Sequence, residues 1–220
     1  MEYGKYLFNN DWFFMKLPIG SSLLDAEKSK KEFIKIALPH DWLIYQVENL
    51  YENSVGWYKK PFSYVKKDDE RVELRFDGIY MDSIIYINGV EVWQWKYGYS
   101  AFDIDITSFL IEGQNEITVR VNYQAPNSRW YSGAGIYRDV WMKVTHKAYI
   151  PWDGIYVNAE KKEKNIWSLN IETELKTDRP VRLEYMLADK KARTNFRILG
   201  ESYAWPNKEL QKIQFESIVK

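Results

Sequence analysis

The chain has 220 residues, in which 31 Lys and Arg balance 31 Asp and Glu, with no cysteine and two histidines. Balanced charge gives no broad positive field for a phosphate backbone or an anionic membrane, so nucleic acid and membrane are excluded as partners. Without cysteine there is no disulfide framework, thiolate nucleophile or Cys-ligated zinc; His40 and His146 alone leave little for another metal, and no cofactor is expected.

The length exceeds the usual single-domain size of roughly 100 to 150 residues, which predicts two domains or one large β-domain. Asn9, Asn10, Asp11 and Lys16 break the apolar run near Met1, so no signal peptide is read, and no later run is long enough to span a bilayer. As given, the chain reads as soluble and cytoplasmic; a trimmed export signal stays compatible with it. Ten Trp and 17 Tyr demand either an aromatic core or stacking surfaces.

In chain order, residues Phe8 to Leu17 read as a first strand, and Pro18 to Lys31 as a loop with room for one helical turn. Phe33 to Leu38 alternates and stops at Pro39-His-Asp-Trp42, where proline cannot donate to a central ladder. Leu43 to Val55 is a long loop. Such loops are often functional, which makes Asn49 and Asn53, with Glu48, Tyr51 and Glu52, candidates for the rim of a site; a surface loop that merely spans two sheets is the competing reading. Gly56 to Tyr64 is the next strand, and Val72, Leu74 and Phe76 alternate with Arg71, Glu73 and Arg75 as a half-solvated antiparallel strand requires. Asn88-Gly89 between Ser83–Ile87 and Val90–Trp95 predicts a hairpin closed by a type I′ turn. Phe102 to Thr107 alternates, Ser108 to Ile111 suits one helical turn, and Glu112 to Asn115 turns the chain into a strand carrying Ile117, Val119, Val121 and Tyr123. Many short strands with long crossovers predict a two-sheet sandwich, most simply a jelly roll.

The stretch Asn127 to Trp141 interrupts this pattern between two strands, the second reading as Tyr137 to Val144. Pro126 forbids a ladder bond at its entry, and Gly133 and Gly135 permit positive φ, so Arg129, Trp130 and Tyr131 project from a tight loop. Aromatic faces stack on pyranose rings and a guanidinium offers planar donors to hydroxyl or carboxylate oxygens, which makes these three the leading carbohydrate-binding candidates. The plainer reading is that Trp130 and Tyr131 close one end of the β-core.

Near Tyr149 to Trp152 the pattern changes. Pro151 to Gly154 reads as linker and turn; Trp167 to Leu175 and Val181 to Leu187 alternate around Asp178-Arg-Pro180, and Ile213 to Val219 closes the chain as a strand. We therefore expect an all-β chain, with a jelly-roll β-sandwich over residues 1–150 and an immunoglobulin-like β-sandwich over 151–220. The second is partial or reduced, because such folds take about seven strands and roughly 100 residues.

The motifs Phe8-Asn-Asn-Asp-Trp12, Leu38-Pro-His-Asp-Trp42, Gly56-Trp-Tyr-Lys-Lys60, Phe76-Asp-Gly-Ile-Tyr80, Tyr86-Ile-Asn-Gly89, Tyr97-Gly-Tyr99 and Ser128-Arg-Trp-Tyr-Ser-Gly-Ala-Gly-Ile-Tyr-Arg138, in this order, resemble the N-terminal part of glycoside hydrolase family 2, nearest its bacterial β-galactosidase-like members. The resemblance implies a sugar-binding jelly roll and the start of an immunoglobulin-like domain. In the family these precede a (β/α)8 barrel bearing two catalytic glutamates, which has no counterpart in this sequence. It therefore implies a non-catalytic front end of a retaining glycosidase, whose partners are that missing catalytic domain and a terminal β-linked sugar. Family galactosidases and glucuronidases place an aspartate in the loop before the run matching Gly135-Ile-Tyr-Arg138. Here Arg129 stands at that position, so a donor takes the place of acidic recognition of the sugar hydroxyls; the resemblance implies a galactoside first, with other β-linked exo-substrates, including uronides or modified galactans, behind it.

The residues read the same way. Retaining hydrolysis needs two carboxyl groups about 5 to 5.5 Å apart. Asn115-Glu116 matches the family's Asn-Glu acid but opens a strand, with Glu116 facing away from the apolar row; Asp103 and Asp105 share a solvated face; and His40-Asp41, adjacent on extended backbone, point apart and suit a structural role beside Pro39. No catalytic residue is assigned. A free-standing carbohydrate-binding or adhesion module is the alternative, disfavoured by a second sandwich that stops short.

Overall fold

The computed structural model describes residues 2–45, 47–50, 52–126, 133–188 and 196–219. The chain divides into two compact units, 1–144 and 145–220. Arg129, Trp130 and Tyr131 lie outside the described residues.

The first unit holds strands β1 (Gly4–Leu7), β2 (Trp12–Leu17), β3 (Ile34–Ile36), β4 (Ser54–Tyr64), β5 (Glu70–Phe76), β6 (Ser83–Ile87), β7 (Val90–Trp95), β8 (Phe102–Asp105), β9 (Gly113–Tyr123) and β10 (Val140–His146), with one short helix α1 (Leu23–Lys28). They form a six-stranded sheet in the order β3-β2-β4-β9-β6-β7 and a four-stranded sheet β1-β10-β5-β8. Side chains alternate along each strand, so the row Trp12, Phe14, Tyr58, Phe62 and Tyr64 meets Val72, Leu74, Phe76, Met142 and Val144 in one buried core. The abundant aromatics are therefore largely interior. Trp12, Trp57, Tyr58, Tyr64 and Tyr123 are all but inaccessible. The other face of the large sheet has a smaller core of Met15, Leu17, Val55 and Trp57, closed by Ala26 of α1. That helix exists because Ser22 and Asp25 cap it reciprocally: Asp25 N–H donates to Ser22 Oγ at 3.2 Å, and Ser22 N–H to Asp25 Oδ2 at 2.8 Å.

Several boundaries differ from the sequence reading. The first long strand begins at Trp12 rather than Phe8, because Phe8 N–H donates to Val140 O and Trp12 Nε1 donates to Phe8 O, which turns the chain between β1 and β2. Strand β10 starts at Val140, not Tyr137. Asn115 and Glu116 lie inside β9, since the ladder with β4 runs without a break from Ser54↔Tyr123 to Tyr64↔Gly113. The Asn88-Gly89 hairpin is as read, with φ of +52° and +79° at the two turn residues.

The second unit has a three-stranded sheet of β11 (Ile155–Glu163), β12 (Ile166–Thr177) and β15 (Asn207–Val219), and a two-stranded sheet of β13 (Val181–Ala188) and β14 (Phe196–Ala204). Tyr185 of β13 stacks flat on Phe215 of β15 with centroids 4.1 Å apart, which fastens one sheet to the other. Five strands among the described residues make a reduced sandwich. Its inner face is bare along β11: Ile155 and Val157 pair with the inward-facing Thr173 and Ile171, yet each is 55% exposed.

Candidate functional site

Two segments that are far apart in sequence meet at one end of the first unit. The run His40 to Trp42 lies alongside Ala134 to Ile136, with His40 N–H donating to Ile136 O at 2.8 Å and Trp42 N–H to Ala134 O at 3.1 Å. Gly135 is held from its other side by two hydrogen bonds with Tyr80. The close approach requires glycine there: φ is +130°, and a Cβ would strike the Tyr58 hydroxyl and the His40 carbonyl oxygen. Asp41 Oδ1 then accepts from Leu43 N–H at 3.0 Å and Ala134 N–H at 3.1 Å. The structural role read for His40 and Asp41 is the one the geometry gives.

Sequence reasoning missed how these residues are buried. His40 is 6% exposed, packs against Phe14 and Tyr45, and places Nδ1 2.9 Å from the Tyr58 hydroxyl. Burial lowers its pKa to about 4, opposed by the nearby Asp41 charge, so the ring is neutral at pH 7. Tyr58, fully enclosed and touching the Ile136 main chain, has its pKa raised by burial and stays a phenol.

Beside this clamp opens a groove of about 560 Å³ lined by Phe14, Lys16, Ile34, Ile36, His40 and Tyr45, with Ala37 and Trp42. Tyr45 is 73% exposed and supplies a free aromatic face. The polar rim is continuous: Trp42 Nε1 donates to Ser54 Oγ at 3.1 Å, Ser54 Oγ to Glu52 Oε1 at 3.0 Å, Lys16 Nζ pairs with the same oxygen at 2.7 Å, and Asn49 Nδ2 reaches Glu52 Oε2 at 3.3 Å. Asn49 is thus tied through Glu52 to Lys16 of the groove lining. Asn53 is placed differently, because its Oδ1 accepts from Ala125 N–H at 2.6 Å. Asn53 and Asp41 therefore hold the main chain at positions 125 and 134, the two described flanks of 127–132.

The carboxylates that the sequence singled out, Glu116, Asp103 and Asp105, are committed to ion pairs. Glu116 meets Lys59 at 3.1 Å, Asp105 meets Arg71 at 3.3 Å and Asp103 meets Arg75 at 3.5 Å. Glu73 is buried and its pKa is raised by that burial, the usual mark of a general acid, but Arg71 binds it at 2.7 Å within the same ladder. The arrangement as described can bind and orient an apolar or sugar face; it does not juxtapose an acid with a nucleophile.

The sequence profile described as "Glycosyl hydrolases family 2, sugar binding domain" matches residues 24–146. The chain belongs to glycosyl hydrolase family 2. Among family relatives, the β-galactosidase BoGH2A of Bacteroides ovatus is 38% identical over 183 residues, which is 76% of this chain and 21% of that protein. A β-glucuronidase of Bacteroides fragilis is 27% identical over 175 residues, 70% of this chain and 23% of the relative. A solved family 2 structure from Bacteroides cellulosilyticus superposes with a TM-score of 0.80 at 26% identity, covering 98% of this chain and 31% of that one. The chain thus spans about a fifth of the length of the curated relatives it matches. Family membership and the all-β pair of sandwiches agree with the sequence reading.

Proposed function

We propose that the chain is the non-catalytic sugar-binding region of a family 2 glycosidase that cleaves terminal β-linked sugars, and that the end of the first unit described above forms part of the rim of the sugar pocket. The observation that carries this reading is the convergence of two segments: Asn53 and Asp41 fix the flanks of 127–132, while Asn49 and the aromatic groove stand beside them. On this reading Arg129, Trp130, Tyr131, Asn49 and Asn53 serve the sugar, directly or by holding those that do. The other pocket wall, with the two catalytic carboxyls, belongs to a barrel outside this chain. Both a β-galactosidase and a β-glucuronidase stand among the relatives, so a neutral galactoside comes first and a uronide second.

Two measurements test it. The purified 220-residue chain is expected to release no nitrophenol from nitrophenyl β-galactoside or β-glucuronide; turnover abolished by Glu116→Gln would overturn the non-catalytic assignment. In an enzyme that joins this region to its barrel, Arg129→Ala is expected to lower kcat/KM by roughly 10- to 100-fold. That follows because hydrogen bonds from a charged donor contribute about 1.5–3 kcal/mol. Unchanged kcat/KM with a lowered Tm would show that Arg129 is architecture rather than a sugar contact.

A further inference from the structure

The outer face of the three-stranded sheet in the second unit carries a depression of about 290 Å³. Cross-strand register places its side chains in two rows, since paired residues point to the same face. One row is Asn158, Asn170 and Glu216; the next is Tyr156, Glu172 and Gln214. Lys212 joins them from β15, binding Glu172 at 2.8 Å and Glu174 at 3.5 Å. Glu172 is fully ionised there, its pKa lowered by the hydrogen bond from Lys212.

An ordinary solvated sheet face spends its polar groups on neighbours or is studded with lysines. Here only Glu172 and Gln214 of the depression are spent on neighbours, and no lysine lines it. Among the described residues no side-chain hydrogen bond or ion pair engages Tyr156, Asn158, Asn170 or Glu216, although all four line one depression. Tyr156 is 67% exposed, with its ring available beside the amides and carboxylates of the depression.

That combination has a specific chemistry. Asn and Gln amides both donate and accept, carboxylates accept from hydroxyls, and an exposed tyrosine ring covers the apolar face of a pyranose. Three strands about 4.8 Å apart give a footprint of roughly 10 Å, enough for two linked sugar rings. The lining of the depression includes two carboxylates, Glu172 and Glu216, and no lysine, so it repels uronates and sulfated sugars. We infer that the Tyr156 face of the second unit is a binding surface for a neutral oligosaccharide, separate from the groove in the first unit.

The test uses the complete 220-residue chain, labelled with nitrogen-15 and titrated with galactotetraose, cellotetraose and tetragalacturonate. The neutral tetrasaccharides are expected to shift the side-chain amide signals of Asn158, Asn170 and Gln214 with a dissociation constant in the millimolar range. Tyr156→Ala, and separately the pair Asn158→Ala with Asn170→Ala, are each expected to weaken that binding about tenfold or more. Tyr156 and Asn158 are exposed, Asn170 is half-buried, and none of the three makes a side-chain hydrogen bond among the described residues, so both variants should keep the wild-type backbone spectrum. Any of three results would overturn the inference: no amide shift at tens of millimolar of either neutral sugar, an equal response to tetragalacturonate, or neutral-sugar binding untouched by both variants. Failure here leaves the reading of the first unit standing, because none of these residues belongs to it.

Discussion

Replacing Gly135 by alanine is expected to destabilise the first unit by about 4 kcal/mol, a large share of the 5 to 15 kcal/mol that holds a typical domain together. Two effects add. At φ +130° an L residue is held in a sparsely populated region that costs about 1–3 kcal/mol. The new methyl must also displace the Tyr58 hydroxyl and the His40 carbonyl, and overpacking of this kind costs about 1–3 kcal/mol more. Gly89→Ala separates the two, because its φ is also positive, at +79°, but no atom lies within 4 Å of the added Cβ. It should lose only about 1 kcal/mol. Urea unfolding followed by tryptophan fluorescence measures both. Equal losses in the two variants would mean that the packing of His40, Tyr58 and Gly135 contributes nothing beyond backbone strain.

Strand β5 and the β6–β7 hairpin were legible because they obey local rules: Val72, Leu74 and Phe76 alternate with charges, and Asn88-Gly89 can adopt the positive φ that the turn requires. Strand β11 went unread although Ile155, Val157 and Ala159 alternate with Tyr156, Asn158 and Glu160; all nine of its residues are exposed, so its apolar row marks no buried face. Strand β14 has an irregularity opposite Tyr185/Met186 that breaks its period of two.

Site residues divide the same way. The motifs around His40 and Gly135 drew attention by their unusual residue types, and Asn49 by its place in a long loop. Their partnerships were hidden, because Asn53 with Ala125 and Asp41 with Ala134 join positions 72 and 93 residues apart. No local pattern encodes such pairings; they follow from two sheets closing over one core.

His40 leads to the second large effect, a loss of stability in mild acid. Its folded pKa is about 4 against 6.5 in the unfolded chain, the direction expected when burial opposes the charged imidazolium. The sign follows from proton uptake. Between pH 6.5 and 4 the unfolded chain binds a proton that the folded chain refuses, so stability contributed by neutral His40 is fully present above 6.5 and is lost as pH falls towards 4. A shift of this size corresponds to about 3 kcal/mol, at roughly 1.4 kcal/mol per pH unit. The groups facing His40 do not offset it: Tyr58 remains a neutral phenol throughout, and the Asp41 charge already opposes the shift within the stated pKa. His40→Phe, which keeps the stacking on Phe14 and Tyr45 but cannot take up a proton, should flatten the profile over this window while losing the hydrogen bond to Tyr58 at every pH. Urea midpoints measured at half-unit steps from pH 4 to pH 7 for both proteins decide the matter. Parallel slopes would show that His40 titrates in the folded state much as it does in the unfolded chain, and that its ring is not sealed beneath Tyr45 and Phe14.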